Sequence, residues 1–375
     1  MLSFIIALFV LRYSARITSF NEILAVLSFA FMYAHISGKF TMRFSLPEKY
    51  LKALVGFLGV VILGCAILAN LFISLESLNV DRWSVIASFI TALEGNTYPY
   101  FAESHMGNPP GPMPFYFVVA YPFFKLGGLS FLSALGYLGL LRIVTHRNDH
   151  KTTLVALTTI LLFPFMYWEI ATRSNIMTFS MLSILVVHFF DRIDFQKSVG
   201  LTFVITAVCA GLILSTRSIF IIPYLVFGYL AFLESYRKKE IPALKNIVLF
   251  GGLLSVVFLA TFFPLYLVWP QEFWQTNPFS IQSGVLMPSV YIYVSIGVLL
   301  LSLSVLRNVS KADKFFLSGV GLFSIILVYT IFQISTDGLY NIIYNSSMDI
   351  SYYLFCVPYL LYYLSSEHTL TPLYN

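Results

Sequence analysis

The sequence predicts an all-helical, polytopic membrane bundle. Hydrophobic residues make up 58% of its 375 residues and charged residues only 10%, the mean hydropathy is +0.84, and the apolar stretches are separated by mostly short polar loops. A soluble domain carries charge on roughly a quarter of its residues. Apolar runs of about 15–23 residues suit helices crossing about 30 Å of hydrocarbon, whereas barrel strands would alternate polar and apolar over about ten residues.

The elements follow in order. Residues 1–11 are apolar but lack a basic start and a small-residue cleavage site, so they read as a retained helix or half-helix. Runs at 22–38 and 52–74 complete three spans, and a long polar and aromatic interval, 76–128, comes next. Further runs lie at 129–142, 152–169, 172–190, 199–215, 218–234, 246–268, 288–306, 315–333 and 350–364. The expected total is about twelve crossings. Pro112–Leu126 is apolar enough to be another, but counting it would invert every later loop. Its prolines at 112, 114 and 122, with Tyr116, Tyr121 and Lys125, suit a helix lying along the outer surface or dipping back, between the third and fourth spans. Cys65, Cys209 and Cys356 fall inside apolar runs, where a thiol acts as a small hydrophobe. No internal repeat or low-complexity tract interrupts the chain, which reads as a single transmembrane domain, 1–375.

Charge sets the expected orientation. With loops placed alternately, Lys39–Lys52, Arg142–Lys151, Asp191–Lys197, Glu234–Lys245 and Arg307–Lys314 share one side with the C-terminal tail and hold 16 of the 22 Lys and Arg. The positive-inside rule makes that side cytoplasmic. The opposite loops hold Asp81, Glu94, Glu103, Glu169, Arg173, Arg217, Glu272, Asp337 and Asp349, with Arg12 and Arg16 also outside. Basic residues scattered over short loops give no support for nucleic-acid binding.

Ionisable groups close to a bilayer cost several kcal/mol unless they face water or a partner. The interval from Val80 to Pro122 gathers Asp81, Arg82, Glu94, Glu103 and His105 among aromatics and prolines, and is the candidate site. Arg173, in Ala171-Thr172-Arg173-Ser174-Asn175, and Arg217, in Ser215-Thr216-Arg217-Ser218, each open an outer-face helix. A helix N-terminus does not favour a cation, so each arginine needs an anion, such as phosphate, or a headgroup to snorkel to.

Three fragments carry a family resemblance: Val80-Asp81-Arg82-Trp83, Leu93-Glu94-Gly95-Asn96-Thr97-Tyr98-Pro99-Tyr100, and Gly107-Asn108-Pro109-Pro110-Gly111-Pro112. Together they resemble the first outer loop of the GT-C membrane glycosyltransferases, mannosyltransferases among them, over roughly residues 60–235 in layout. The resemblance implies an enzyme that uses a polyprenyl-phosphate-linked sugar as donor and a glycan, lipid or protein hydroxyl as acceptor, at the extracytoplasmic face of a membrane such as the bacterial inner membrane. Asp81 stands where that superfamily has an acidic residue just after an early span. An extra hairpin precedes the Asp-bearing helix here, and Asp-Arg stands where many relatives have Asp-Glu.

Single displacement from a polyprenyl phosphate needs a base on the incoming oxygen and cations against the departing phosphate. Asp81 is the candidate base, against pairing with Arg82 as its alternative role. Arg173, Arg217 and Arg82 are the candidates for the donor phosphate. Glu94, Glu103 and His105 are candidates for sugar hydroxyls or for a divalent cation, Mg or Mn, although their spacing matches no compact metal motif. Tyr98, Tyr100 and Glu272 are further candidate substrate contacts, in a region where an aromatic belt is expected anyway. Two alternatives stand beside this reading. A transporter or flippase of lipid-linked substrates would place ionisable or broken-helix elements near the midplane. An O-antigen-polymerase-like enzyme would carry its long outer loop late in the chain rather than early.

Overall fold

A computed structural model of the chain describes residues 1–15, 18–36, 47–75, 77–78, 80–145, 150–285, 287–344 and 348–366. Much of the basic loop Lys39–Lys52, part of Arg142–Lys151, and Arg16 lie outside the described residues. The described residues are helical, with no strand among them. In order they form α1 (Leu2–Ser14), α2 (Asn21–Ile36), α3 (Glu48–Phe72), α4 (Arg82–Glu94), α5 (Pro114–Lys125), α6 (Leu129–Thr145), α7 (His150–Leu162), α8 (Pro164–Ala171), α9 (Ile176–Phe190) and α10 (Leu201–Leu214). These are followed by α11 (Ile221–Arg237), α12 (Ile241–Ala260), α13 (Phe263–Val268), α14 (Pro270–Gln275), α15 (Pro278–Val285), α16 (Ser289–Ser304), α17 (Lys311–Asp337), α18 (Leu339–Tyr344) and α19 (Val357–Leu364), with a 3-10 segment at Ile350–Phe355 before the last.

Among the described residues, four helices are long and apolar enough to cross a membrane: Glu48–Phe72, Ser218–Arg237, Ile241–Ala260 and Lys311–Asp337. Two bent pairs raise the number to six: α5 with α6, at 117°, and the Thr153–Leu162 part of α7 with α8, at 51°. This is fewer than the expected twelve or so, for two reasons. Helices such as α10, at 14 residues, reach only about 21 Å at 1.5 Å per residue, short of about 30 Å of hydrocarbon. Proline divides other runs: Pro164 has no amide to donate and crowds the preceding turn, so the 152–169 run breaks into α7 and α8. At 117° to α6, α5 is no straight continuation of it.

Helix ends collect at two poles. At one, Asp191 after α9 pairs with Lys311 (3.1 Å) and Lys314 (2.8 Å) at the start of α17, Arg237 donates to the carbonyls of Ser304 and Leu306, and Asn246 donates to those of Phe195 and Lys197. A capping box starts α17 there: the Ser310 hydroxyl accepts the Asp313 amide, and the Asp313 carboxylate accepts the Ser310 amide. The 27 residues of α17 then cover about 40 Å to the other pole. That second pole carries the polar interval between α3 and α6 and the loops that contact it.

Small residues let the spans approach. A Cβ at Gly136 in α6 would lie 2.5 Å from the Thr178 backbone nitrogen of α9, so these two backbones touch. Across the same seam Thr178 Oγ1 donates to the Leu132 carbonyl (2.6 Å), and Ser133 Oγ donates to the Ser174 carbonyl. Close backbone approach with interhelical hydrogen bonds is how helices associate where lipid offers no hydrophobic driving force.

Candidate functional site

Asp81 sits at the N-cap of α4. Its backbone carbonyl accepts the Val85 amide and the Ser84 hydroxyl, both at 2.9 Å, which fixes the residue against the first turn. The side chain is held by the loop that follows α4. Asn108 Nδ2 donates to Oδ2 at 2.6 Å and Ser104 Oγ donates to the same oxygen at 3.2 Å. No donor among the described residues reaches Oδ1. Asp81 and Arg82 do not pair: the arginine points the other way, into the bundle.

Arg82 is the first residue of α4 and its side chain is only 12% exposed. Nη2 meets both carboxylate oxygens of Asp349, at 2.8 and 3.0 Å, and the hydroxyl of Ser351. Nη1 faces Glu169 Oε1 at 3.6 Å, too far for a hydrogen bond, and has no hydrogen-bond partner among the described residues. Glu169, in α8, is fully buried and accepts from the Ser174 hydroxyl, the Met177 amide (3.3 Å) and the Tyr137 hydroxyl (3.4 Å). Burial opposes ionisation of Asp349, but Arg82 and the hydroxyl and amide of Ser351 outweigh it and hold that carboxyl below its ordinary value. Arg12, whose outer placement in the charge pattern had no partner to explain it, is buried at the end of α1 and donates to the carbonyls of Ile342 (2.9 Å) and Met348, supporting the segment that delivers Asp349.

Arg217 arrives on a strap. The amides of Met113 and Phe115 donate to the carbonyls of Thr216 (3.2 Å) and Ser215 (3.0 Å), tying the Pro-rich segment ahead of α5 to the end of α10. The Arg217 guanidinium then lies 5.7 Å from the centre of the Tyr116 ring, half-buried, and no carboxylate among the described residues pairs with it. Tyr116 in turn accepts from Asn175 Nδ2 (3.3 Å).

Other expected site residues have different work. Arg173 is 4% exposed and donates to the carbonyls of Ala69 and Ile73, both at 2.8 Å, and of Ala171 at 2.9 Å. It closes the C-terminal end of α3, which has carbonyls left over as every helix end does, and so leaves the phosphate set. Its backbone φ of +56° is a sparsely populated conformation for a side chain of this kind, retained because the cap requires it. Glu94 ends α4, 13 residues long and so about 20 Å from Asp81. There it pairs with Lys125 (2.7 Å) and accepts from Tyr121 (3.1 Å), an arrangement that lowers its carboxyl from the ordinary range. Tyr98 and Tyr100 are buried struts rather than substrate contacts. Tyr98 donates to the Thr276 carbonyl (2.6 Å) and Tyr100 to the Pro112 carbonyl (3.0 Å). Burial, and then the Glu272 charge, pushes the Tyr98 phenol up; the Glu272 carbonyl accepts the Thr276 amide (2.9 Å), one turn before the carbonyl that Tyr98 holds.

Glu103 and His105 are exposed on the loop over Asp81. The Ser84 hydroxyl lies 2.9 Å from the Asp81 carbonyl and 2.7 Å from His105 Nδ1, and the imidazole ring stacks on Trp83, 5.4 Å between centres. Glu94, Glu103 and His105 therefore do not converge, and no three His, Cys, Asp or Glu side chains among the described residues group as a metal site.

Sequence reasoning did not place Glu169, Asp349, Tyr116 or Asn108 in the site. Glu169 had a signal: it is a lone carboxylate in an apolar run, and such a residue finds a cation or marks function. Asp349 had none, since its arginine lies 267 residues away in sequence. The set comprises a carboxylate with one oxygen that no donor among the described residues reaches, a guanidinium with no carboxylate partner among them, and a buried arginine held between two acids. No family model matches this chain, and neither the curated proteins nor the solved structures give a match.

Proposed function

We propose that this chain is a membrane glycosyltransferase. It moves a sugar from a polyprenyl-phosphate donor to an acceptor hydroxyl at the extracytoplasmic face, in a multi-pass protein of a bacterial inner membrane. The observation that carries the reading is at Asp81: Asn108 and Ser104 hold Oδ2 while no donor among the described residues reaches Oδ1, and Arg217 has no carboxylate partner among the described residues.

The chemistry follows from that arrangement. The acceptor hydroxyl gives its proton to Asp81 Oδ1 while its oxygen bonds to the anomeric carbon. The bond from that carbon to the phosphate oxygen breaks, and its electron pair leaves on the phosphate. A general base contributes typically about 10²–10⁴-fold. Negative charge building on the phosphate meets the Arg217 guanidinium, with the buried positive charge of Arg82 behind it, and charge-assisted bonds of this type are roughly twice as strong as neutral ones. A transporter would hold its ionisable element near midspan; Glu169 instead sits close to the α8 end that Arg173 joins to the end of α3.

The test is reconstitution of the full chain in liposomes with a panel of polyprenyl-phosphate sugars. Turnover of at least one donor, reduced about 100-fold or more in Asp81→Asn, is the expected result. Full turnover in Asp81→Asn, or none with any donor in the unsubstituted chain, would remove the reading.

A further inference from the structure

The loop from Ser104 to Asn108 is folded back on Asp81 from both sides. Its chain reverses through Gly107, whose φ of +78° a side chain would resist, with the Gly107 amide on the Ser104 carbonyl (2.9 Å) and the Ser104 amide on the Asn108 carbonyl (2.9 Å). The Ser104 hydroxyl accepts the amides of Met106 (3.3 Å) and Asn108 (3.1 Å) and gives its own proton to Asp81 Oδ2. His105, bonded to Ser84 and stacked on Trp83, pins the same loop to the first turn of α4. Asn108 is solvent-exposed, yet its amide makes the shorter of the two bonds to the carboxylate, at 2.6 Å.

We infer that Asn108, with Ser104 behind it, is a positioning residue for the transfer: it occupies Oδ2 of Asp81 and so presents Oδ1 to the acceptor hydroxyl. The inference rests on the reading of Asp81 as base and adds to it the group that aims the base. A carboxylate with both oxygens unheld rotates about its Cβ–Cγ bond, a broad, roughly two-fold torsion. A donor on one oxygen narrows that torsion, and pre-orientation of reacting groups is where much of an enzyme's advantage comes from. The loop therefore has a reason to be Gly-Asn rather than any polar turn: Gly107 turns the chain and Asn108 reaches the acid.

The experiment is a double-mutant cycle on transfer in liposomes, using the polyprenyl-phosphate sugar that the unsubstituted chain turns over. Asn108→Ala is expected to lower kcat about 10- to 100-fold with donor KM within about twofold, because donor binding lies with Arg217 and Arg82. Asn108→Gln, which keeps an amide donor, is expected to recover part of that rate. In an Asp81→Asn background Asn108→Ala should add less than about a twofold further loss, since there is no carboxylate left to aim. A purely structural loop residue would lower both backgrounds alike. Absence of turnover in the unsubstituted chain, or full turnover in Asp81→Asn, removes the base and this inference with it. Normal kcat in Asn108→Ala beside an inactive Asp81→Asn, or an equal loss in both backgrounds, overturns this inference alone.

Discussion

Arg82 meets both carboxylate oxygens of Asp349 through one nitrogen, at 2.8 and 3.0 Å, and this pair joins the start of α4 to the segment ahead of α19 across most of the chain. Its other nitrogen faces the fully buried Glu169. Removing the arginine would leave the fully buried Glu169 and the 34% exposed Asp349 without their cation, and breaking one side of a buried pair costs at most about 3–5 kcal/mol. Arg82→Met is therefore expected to destabilise the protein by up to that much, read from thermal unfolding in detergent. Arg82→Lys should recover only part of the loss, because a point charge cannot bridge two carboxylates as a planar guanidinium does.

The same pair fixes the direction of an acid effect. Asp349 is held below its ordinary carboxyl range, so the folded state binds its proton less readily than the unfolded chain does. The stability it contributes is fully present above the unfolded value of about 3.9 and is lost as pH falls through the lowered folded value. Wild-type protein should lose stability below about pH 4 more steeply than Asp349→Asn, whose curve lacks this titration. Parallel acid-unfolding curves for the two would show that the carboxylate is not linked to folding.

Arg173 and Arg217 look alike in sequence, each near the start of an outer-face helix, but their surroundings separate them. Arg173 satisfies three carbonyls at the end of α3 and of α8, and losing hydrogen bonds that leave buried acceptors unmet costs about 1–3 kcal/mol. Arg173→Ala should lower the unfolding midpoint while donor KM in the surviving fold stays near normal. Arg217, with Tyr116 beneath it and no carboxylate partner among the described residues, should behave the opposite way. Arg217→Ala is expected to raise donor KM or depress kcat about 10- to 100-fold, as for loss of a charged hydrogen bond worth about 1.5–3 kcal/mol, with little change in unfolding. The same pattern for both arginines would undo the distinction.

That contrast shows what the sequence made legible. Asp191, placed among the basic loops by the charge pattern, meets Lys311 and Lys314 there. All-helical structure was readable because apolar runs of this kind leave no other way to satisfy the backbone. The number of crossings was not, because hydropathy does not register that Pro164 bends one run or that α10 is too short to span. The sequence singled out the polar interval that contains Asp81, but not that Asn108 and Ser104 within it hold the carboxylate. Residue roles were not legible where the determinant was distant: Arg173 is defined by α3 carbonyls, and Arg82 by an acid near the other end of the chain.

Packing at α6 and α9 should be felt at the site. A Cβ on Gly136 would meet Thr178 backbone atoms at 2.5 and 2.7 Å, and backbone cannot rotate aside as the tip of a side chain can. Gly136→Ala must push the helices apart, and overpacking of this kind costs typically about 1–3 kcal/mol. The displaced seam carries the Ser133 bonds to the Ser174 carbonyl and Asn175 side chain, and Asn175 holds the Tyr116 hydroxyl under Arg217. Gly136→Ala should therefore lower the unfolding midpoint and raise donor KM together. Gly139, one turn on, has only the flexible Met181 side chain near its Cβ, at 3.7 Å, so Gly139→Ala should change neither. If Gly136→Ala were destabilised with donor KM unchanged, the α6–α9 seam would not be what sets the position of Tyr116 and Arg217.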